Sequence, residues 1–485
     1  EVRPMSILDY KTYREACEKF KWSEVWELFD GTRDNFNIAH ECIDRHIGKG
    51  TAVRIKFDDG HSEKYSFDDI SYKSSQFANA LKKLGVNKGD RVAVMLDPSL
   101  EFYVTFFGTV KRGAIVVPFY PQFGPEAVEF RLKDSTPKIF VTTEEKLSLF
   151  DRKLVDRIIT VGEQFEDLIK TESGKYQEKN ETTADDIAVF QYTSGTTRKF
   201  PEVIKHFHKS VPVLIPAAVF AVGLRRGDRY FCPSSPAWGH GLWYGTLAPL
   251  SLGIAVGAYS GRFNEKTLLE ALQEFEINNL SAAPTVFRRL KNCGLVNNFK
   301  LKIEKLSYSM EPMDTDTFNF LKAKFGVSPC SFYGSTEVGV IILNYNCYPD
   351  YEVKPGSLGK AMLGLEVAII DEEGNPLPPG VVGEIVVRGP RIMSGYWQDS
   401  EKTARAFTPD GWLRTSDLGY MDEEGYIYLS GRADDLIIRG GENISPREVE
   451  EALLAHPKVF DAAVIGVPSL EWGQEPRALV VLHSG

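Results

Sequence analysis

Between positions 192 and 206 the chain reads YTSGTTRKFPEVIKH. A strand-like run, DIAVFQYTS at 186–194, ends on two hydroxyl residues and is followed by a glycine and two more hydroxyl residues. Backbone N–H groups at such a turn form a nest for anions, and the hydroxyls of Thr193, Ser194, Thr196 and Thr197 add donors. Gly195 allows close approach of the backbone to a phosphate oxygen. The same residues fit a turn that satisfies its own backbone, and taken alone the stretch reads better that way. The chain contains no G-x-x-x-x-G-K-[ST] loop, no G-x-S-x-G elbow and no G-x-G-x-x-G fingerprint.

A second stretch, SFYGSTEVG at 331–339, sets an aromatic, a glycine, two hydroxyls and an acid in a row. Tyr333 has the ring to stack on a base, Thr336 a hydroxyl for a phosphate or carboxylate, and Glu337 a carboxylate for magnesium. The competing reading is a helix N-cap, with Ser335 or Thr336 capping and Glu337 in the first turn. A third stretch spans 411–443. Its Asp417 suits a bidentate grip on a ribose diol, and its Arg432 suits a phosphate or ribose oxygen. The competing reading there is a surface ion pair.

These stretches need a scaffold. From about residue 66 short β-branched runs alternate with amphipathic helical stretches. RVAVML, AIVVPFY, KIFVTT, AVGAYS and KLSYSM are such runs; SYKSSQFANALKKLG and KTLLEALQEFE are such helices. The alternation predicts an α/β fold with helix-covered parallel sheets, whose ligands lie beyond the carboxyl ends of the strands. From about 356 to 430 two strand–turn–strand patterns predict an antiparallel, barrel-like subdomain. After 432, a glycine-turned hairpin (LIIRGGENI), a helix and a strand predict a small α+β domain. Ser445 is its cap, Pro446 its first residue, Glu448 completes a capping box, and Val449, Leu453 and Leu454 form its buried face. The expected partition is 1–432 for a large domain and 433–485 for a small one.

Composition narrows the function. The chain has 485 residues, 43% hydrophobic and 26% charged, as expected of a globular protein with about two to four domains or subdomains. A net charge of −10 argues against nucleic acid as a partner. No apolar run reaches the roughly 18 residues of a membrane span, and the first residues lack the layout of a secretory leader. Six scattered cysteines without a C-x-x-C pair predict a reducing, cytoplasmic setting and no structural zinc. Homodimerisation stays open.

In this order, YTSGTT, YGSTE, GWLRTSDLG and GRADDLIIRGGENISPREVE resemble the adenylate-forming superfamily of acyl-CoA synthetases, luciferases and peptide-synthetase adenylation domains. The resemblance runs from about residue 30 to the end. It implies two helix-covered parallel sheets, a barrel-like subdomain and a small mobile C-terminal domain. It implies that Thr193 to Thr197 hold the phosphates of ATP, and that Tyr333, Gly334 and Ser335 line the adenine pocket opposite Glu311 and Pro312. Thr336 would touch the α-phosphate and Glu337 would bind Mg2+. Asp417 would hold the ribose, helped by Arg432. Asp434 matches the interdomain hinge, and Gly440 and Gly441 match the passage for the pantetheine arm of coenzyme A. Trp238, His240 and Gly241 fall in the acyl-site stretch; for His240 an ordinary core histidine is the equal alternative.

Two departures matter. The family loop continues Gly-x-Pro-Lys-Gly, whereas here Arg198 replaces the first glycine and Glu202 follows Pro201. Arg198 and Lys199 are expected to supply the missing lysine's charge, with Lys205 as a further candidate. The family's C-terminal adenylation lysine is expected beyond residue 485. No aspartate stands near PAWGHGLWYG to hold an amine, and Trp238, Trp243 and Tyr244 suit an apolar, partly aromatic pocket. The expected reaction is AMP-forming ligation of a carboxylic acid, a short- or medium-chain fatty acid, to coenzyme A. The alternatives are an aryl or cyclic acid–CoA ligase, an enzyme loading a carrier protein, and a non-catalytic ATP-binding paralogue.

Overall fold

The β-branched runs form strands and the amphipathic stretches form helices that cover them. The structure, a computed structural model, describes residues 6–176, 182–192, 201, 203–335, 339–389, 406–432, 435–439, 442–469 and 473–482. The chain divides into two units. The first comprises Glu1–Tyr10, Lys21–Ala282 and Asn292–Glu304; the second comprises Lys11–Phe20, Ala283–Lys291 and Lys305–Gly485.

In the first unit, β1 (Thr51–Phe57) and β2 (Ser62–Ser66) form a hairpin, with β1 parallel to a later strand. Next come β3 (Arg91–Val94), β4 (Ile115–Pro118), β5 (Ile139–Thr142), β6 (Arg157–Thr160), β7 (Ile187–Tyr192) and β8 (Val203–Phe207). They assemble in the order β6-β5-β3-β4-β7-β8, all parallel except β8. Every residue of β4 and β5 is buried, as expected of a parallel sheet covered on both faces. β9 (Tyr230–Phe231), β10 (Val256–Ser260) and β11 (Asn279–Ser281) extend the β1 sheet in the order β2-β1-β10-β9-β11, parallel but for β2.

The helix Phe67–Lys83 starts on a capping box between Ser66 and Asp69. The helix Pro125–Ser135 starts with proline in its first turn and stops at Thr136, whose φ of 42° is left-handed. It presents Val128, Arg131, Leu132 and Ser135 to the core. Val128 and Leu132 join Ala93, Val117, Phe119, Phe140 and Tyr192 in one apolar cluster.

In the second unit, β12 (Lys305–Tyr308) lies parallel to β13 (Cys330–Ser335). β14 (Gly339–Leu343) and β15 (Lys360–Ala361) continue antiparallel. The barrel-like region is a four-stranded antiparallel sheet of β16 (Glu366–Ile370), β17 (Gly383–Arg388), β18 (Leu413–Met421) and β19 (Ile427–Arg432), in that order. A last sheet has the order β21-β20-β23-β22, built from β20 (Ile437–Arg439), β21 (Glu442–Ile444), β22 (Val459–Ser469) and β23 (Gly473–Leu482).

Two local expectations need correction here. Ser445 caps the helix Pro446–Leu454 by accepting from Glu448 N, but its hydroxyl donates to Ser430 O and the reciprocal half of the capping box is not made. No residue of that helix is fully buried, so Val449, Leu453 and Leu454 are only half-covered. Among the described residues, no helix is long and apolar enough to cross a membrane.

Candidate active site

In the first unit, β7 ends at Tyr192 on the carboxyl side of its sheet. Thr193, Ser194, Gly195, Thr196, Thr197, Arg198 and Lys199 lie outside the described residues. The root of the stretch is described. Tyr192 donates to Asp134 Oδ2 at 2.8 Å, and its ring packs near Phe119 and Phe130. β4 ends beside it, and the chain beyond β4 contributes Tyr120 and Phe123. Their rings meet Trp238 at 5.5 and 5.9 Å. Trp238 therefore belongs to an aromatic cluster at the carboxyl end of a parallel sheet, where such folds bind ligands.

The acyl-site stretch turns straight into a wide π-helix, His240–Leu247. This winding is rare and recurs at functional sites. His240 is 4% exposed, with Nε2 2.9 Å from Ser281 Oγ and Nδ1 3.2 Å from Ser234 Oγ. Burial pushes its imidazole down to about 4, so it stays neutral. Gly241 is required sterically, because a Cβ there would collide with the backbone carbonyls of Ser234 and Ser235. Gln191, on β7, ties both ends of the stretch: its Nε2 donates to Ala237 O at 3.1 Å, and its Oε1 accepts from Trp243 Nε1 at 3.0 Å.

In the second unit, two distant motifs meet. Tyr333 Oη donates to Asp417 Oδ2. Asp417 on β18 faces Arg432 on β19 in register, with Arg432 Nε 3.9 Å from Asp417 Oδ1. Burial raises the carboxyl of Asp417 above its ordinary range, while the Tyr333 hydroxyl and the Arg432 guanidinium oppose that shift. The preceding turn is strained: Ser416 has φ 61° without being glycine. Its N–H donates to Glu384 Oε1 at 3.0 Å, and Thr415 Oγ1 accepts from Asp417 N at 3.1 Å. Arg414 Nη1 holds the other Glu384 oxygen at 2.5 Å. A carboxylate aimed by this turn keeps acceptor capacity for a diol.

Gly334 and Ser335 lie in strand β13, so Ser335 is no helix cap. Ser309 Oγ donates to Phe332 O at 2.9 Å and brings the 309–313 turn beside Tyr333. Glu311 accepts from Thr285 N at 2.8 Å; Pro312 is exposed. Thr336, Glu337, Asp434, Gly440 and Gly441 lie outside the described residues. Among the described residues, no group of three or more His, Cys, Asp or Glu side chains is placed to hold a metal ion. Sequence reasoning missed Glu384, Ser416 and Gln191. The signal for the first two was the RTSD turn, but the partner strand was not readable from it.

Comparison with known proteins bears on this arrangement. The AMP-binding enzyme family model matches residues 44–397, and the AMP-binding enzyme C-terminal domain model matches residues 448–485. An acetyl-coenzyme A synthetase of Bacillus subtilis (strain 168) is 33% identical over 500 residues, covering 98% of this chain and 86% of its own length. The crystal structure of a Brucella canis acyl-CoA synthetase superposes with a TM-score of 0.82 at 29% identity, covering 98% of this chain and 90% of that one. An anthranilate CoA ligase solved with anthranoyl-AMP superposes with a TM-score of 0.84 at 27% identity, covering 96% of this chain and 88% of that one.

Proposed function

This chain belongs to the AMP-binding enzyme family, among its acyl-CoA synthetases and ligases, and on that premise we propose that it joins a short- or medium-chain fatty acid to coenzyme A at the expense of magnesium–ATP. The observation that carries the nucleotide half is the half-buried Asp417 carboxylate, met by Tyr333 from a motif 84 residues away and faced by Arg432. A ribose diol supplies the two donors that such a carboxylate accepts. Tyr333 and Gly334, with Glu311 and Pro312 opposite, flank the adenine.

The first step forms a bond between a carboxylate oxygen and the α-phosphorus. The bond from that phosphorus to the bridging oxygen breaks, and pyrophosphate leaves with its electron pair. Loop donors from Thr193 to Thr197, the charges of Arg198 and Lys199, and Thr336 stabilise the oxygens that gain charge. Glu337 would hold the magnesium that accompanies ATP, which would neutralise charge on the phosphate oxygens. In the second step the thiol of coenzyme A loses its proton to solvent, sulfur bonds to the acyl carbon, and AMP departs with the electrons of the broken C–O bond. The chain is read as a large domain, 1–432, and a small domain, 433–485. These move about Asp434 between the steps, with Gly440 and Gly441 leaving room for the pantetheine arm.

The acid is apolar. Tyr120, Phe123 and Trp238 form an aromatic wall beside the His240 stretch, and the relatives named above act on acids as different as acetate and anthranilate. A second reading, an aryl acid, is favoured by the same three rings, which suit a flat substrate. The test is mass-spectrometric detection of acyl-CoA over a graded panel from acetate to decanoate, with benzoate and anthranilate. Preference for a middle-length chain supports the proposal, and preference for benzoate or anthranilate moves it to the second reading. Product formed only on a carrier protein, or ADP in place of AMP, overturns it.

A further inference from the structure

The helix Pro125–Ser135 buries Val128, Arg131, Leu132 and Ser135. Their spacing is the stripe by which a helix seats on a sheet, yet one of the four is a guanidinium. Arg131 is 6% exposed. Its Nη1 donates to Ala127 O at 2.9 Å, and its Nε–H has no acceptor among the described residues. The guanidinium packs instead on two rings, 4.0 Å from the centroid of Phe123 and 5.0 Å from that of Tyr192. A buried charge without a carboxylate partner is costly, and ring contacts offset only part of that cost. An arginine stays charged under these conditions. Such a group is in place for an anion.

Its neighbours say which anion. Tyr192 is the last residue of β7 and is followed directly by Thr193. Arg131 grips its ring, and the Tyr192 hydroxyl donates back to the same helix, to Asp134 Oδ2 at 2.8 Å and to Arg131 O at 3.3 Å. The root of the hydroxyl-rich stretch is thus clamped to the helix whose Arg131 cation meets no carboxylate among the described residues. On its other side the guanidinium lies on Phe123, which meets Trp238 of the acyl-site stretch.

We propose that Arg131 is a positioning residue for the pyrophosphate-releasing step, holding the root of the phosphate loop through Tyr192 and supplying positive charge there for the leaving pyrophosphate. It serves a loop in which an acid, Glu202, follows Pro201, so that positive charge must reach the pyrophosphate from elsewhere. The inference rests on the reading of Thr193 to Thr197 as the triphosphate loop, and the test separates the two.

Arg131→Met and Arg131→Lys are compared with the unaltered chain in both half-reactions. The KM for ATP, and for pyrophosphate in the reverse direction, should rise about tenfold to a hundredfold in Arg131→Met, the usual range for a lost charge-assisted hydrogen bond. Transfer of the acyl group from preformed acyl-AMP to coenzyme A involves no pyrophosphate and should keep its rate. Arg131→Lys should recover part of the loss, because it restores charge without the planar face. A merely structural arginine would lower both half-reactions together with the melting temperature; that result, or no change in either, overturns the inference. Should Arg131→Met fail to fold, Arg131→Lys decides by the same split. An unaltered chain with no acid-dependent ATP–pyrophosphate exchange removes the loop reading, and the proposal with it.

Discussion

Mild acid should unfold the first unit, through histidines that the fold keeps neutral, His206 at about 4 among them. His46, His208 and His240 are 2%, 0% and 4% exposed. Burial is the largest cause in each case, and it holds them down to about 4, about 3 and about 4. At His46 the Arg45 and Lys49 charges push in the same direction. Hydrogen bonds fit the neutral ring: Ile38 N donates to His208 Nδ1 at 3.1 Å, and His46 Nε2 sits 3.0 Å from Ser251 O. In the unfolded chain each imidazole takes up a proton below about pH 6.5, while the folded chain resists until about pH 4. Between those values the unfolded state binds more protons, so stability falls as pH falls. The stabilising contribution is fully present above about pH 6.5 and is lost toward about pH 4 and, for His208, about pH 3. At about pH 5 each ring costs roughly RT ln(1 + 10^1.5), about 2 kcal/mol, and three cost about 6 kcal/mol. Domains have only about 5–15 kcal/mol to lose. Glu41 and Asp97, raised by burial, act in the opposite sense. Urea unfolding followed by tryptophan fluorescence, repeated from about pH 7.5 to about pH 5, measures the slope. His208→Gln should reduce the loss by about 2 kcal/mol, whatever its effect at neutral pH. A midpoint unchanged down to about pH 5, or an unaltered slope in His208→Gln, would refute the reasoning.

Tyr333→Phe should leave the half-buried Asp417 carboxylate without its phenol donor, a loss of about 1.5–3 kcal/mol for a bond to a charged group. Steady-state kinetics should show the KM for ATP raised about tenfold or more with the KM for the acid unchanged; equal KM values for ATP would contradict it. Because that hydroxyl opposes the upward shift of Asp417, the variant should also lose ATP binding at a higher pH than the parent as the solution is acidified. Gly241→Ala forces a methyl group into two backbone carbonyls, so thermal melts should drop by the equivalent of about 1–3 kcal/mol or more. An unchanged melt would mean that the Ser234–Ser235 backbone yields.

The alternation of β-branched runs and amphipathic helices was enough to read the parallel sheets, because period and length are local properties. The Ser445–Pro446 cap was legible for the same reason; the missing return bond from Glu448 was not, because the Ser445 hydroxyl is drawn to Ser430 O across the fold. Tyr333, Asp417 and Arg432 were identified only through the order of their motifs, since 84 residues separate the phenol from the carboxylate it meets. Glu384 aims Asp417 from a neighbouring strand, a contact set by the pairing of β17 with β18 rather than by any spacing. Arg131 was invisible because an arginine in a helix reads as a solvated face, and only the packing of that helix shows it turned inward.

Acid-dependent exchange of radiolabelled pyrophosphate into ATP tests adenylation most directly, since it requires a carboxylate, ATP and magnesium but no coenzyme A. The expected result is exchange that appears only with an apolar carboxylic acid, AMP as the nucleotide product of the full reaction, and loss of exchange in Asp417→Ala. Exchange that ignores the acid, or turnover to ADP with Asp417→Ala fully active, would contradict the assignment.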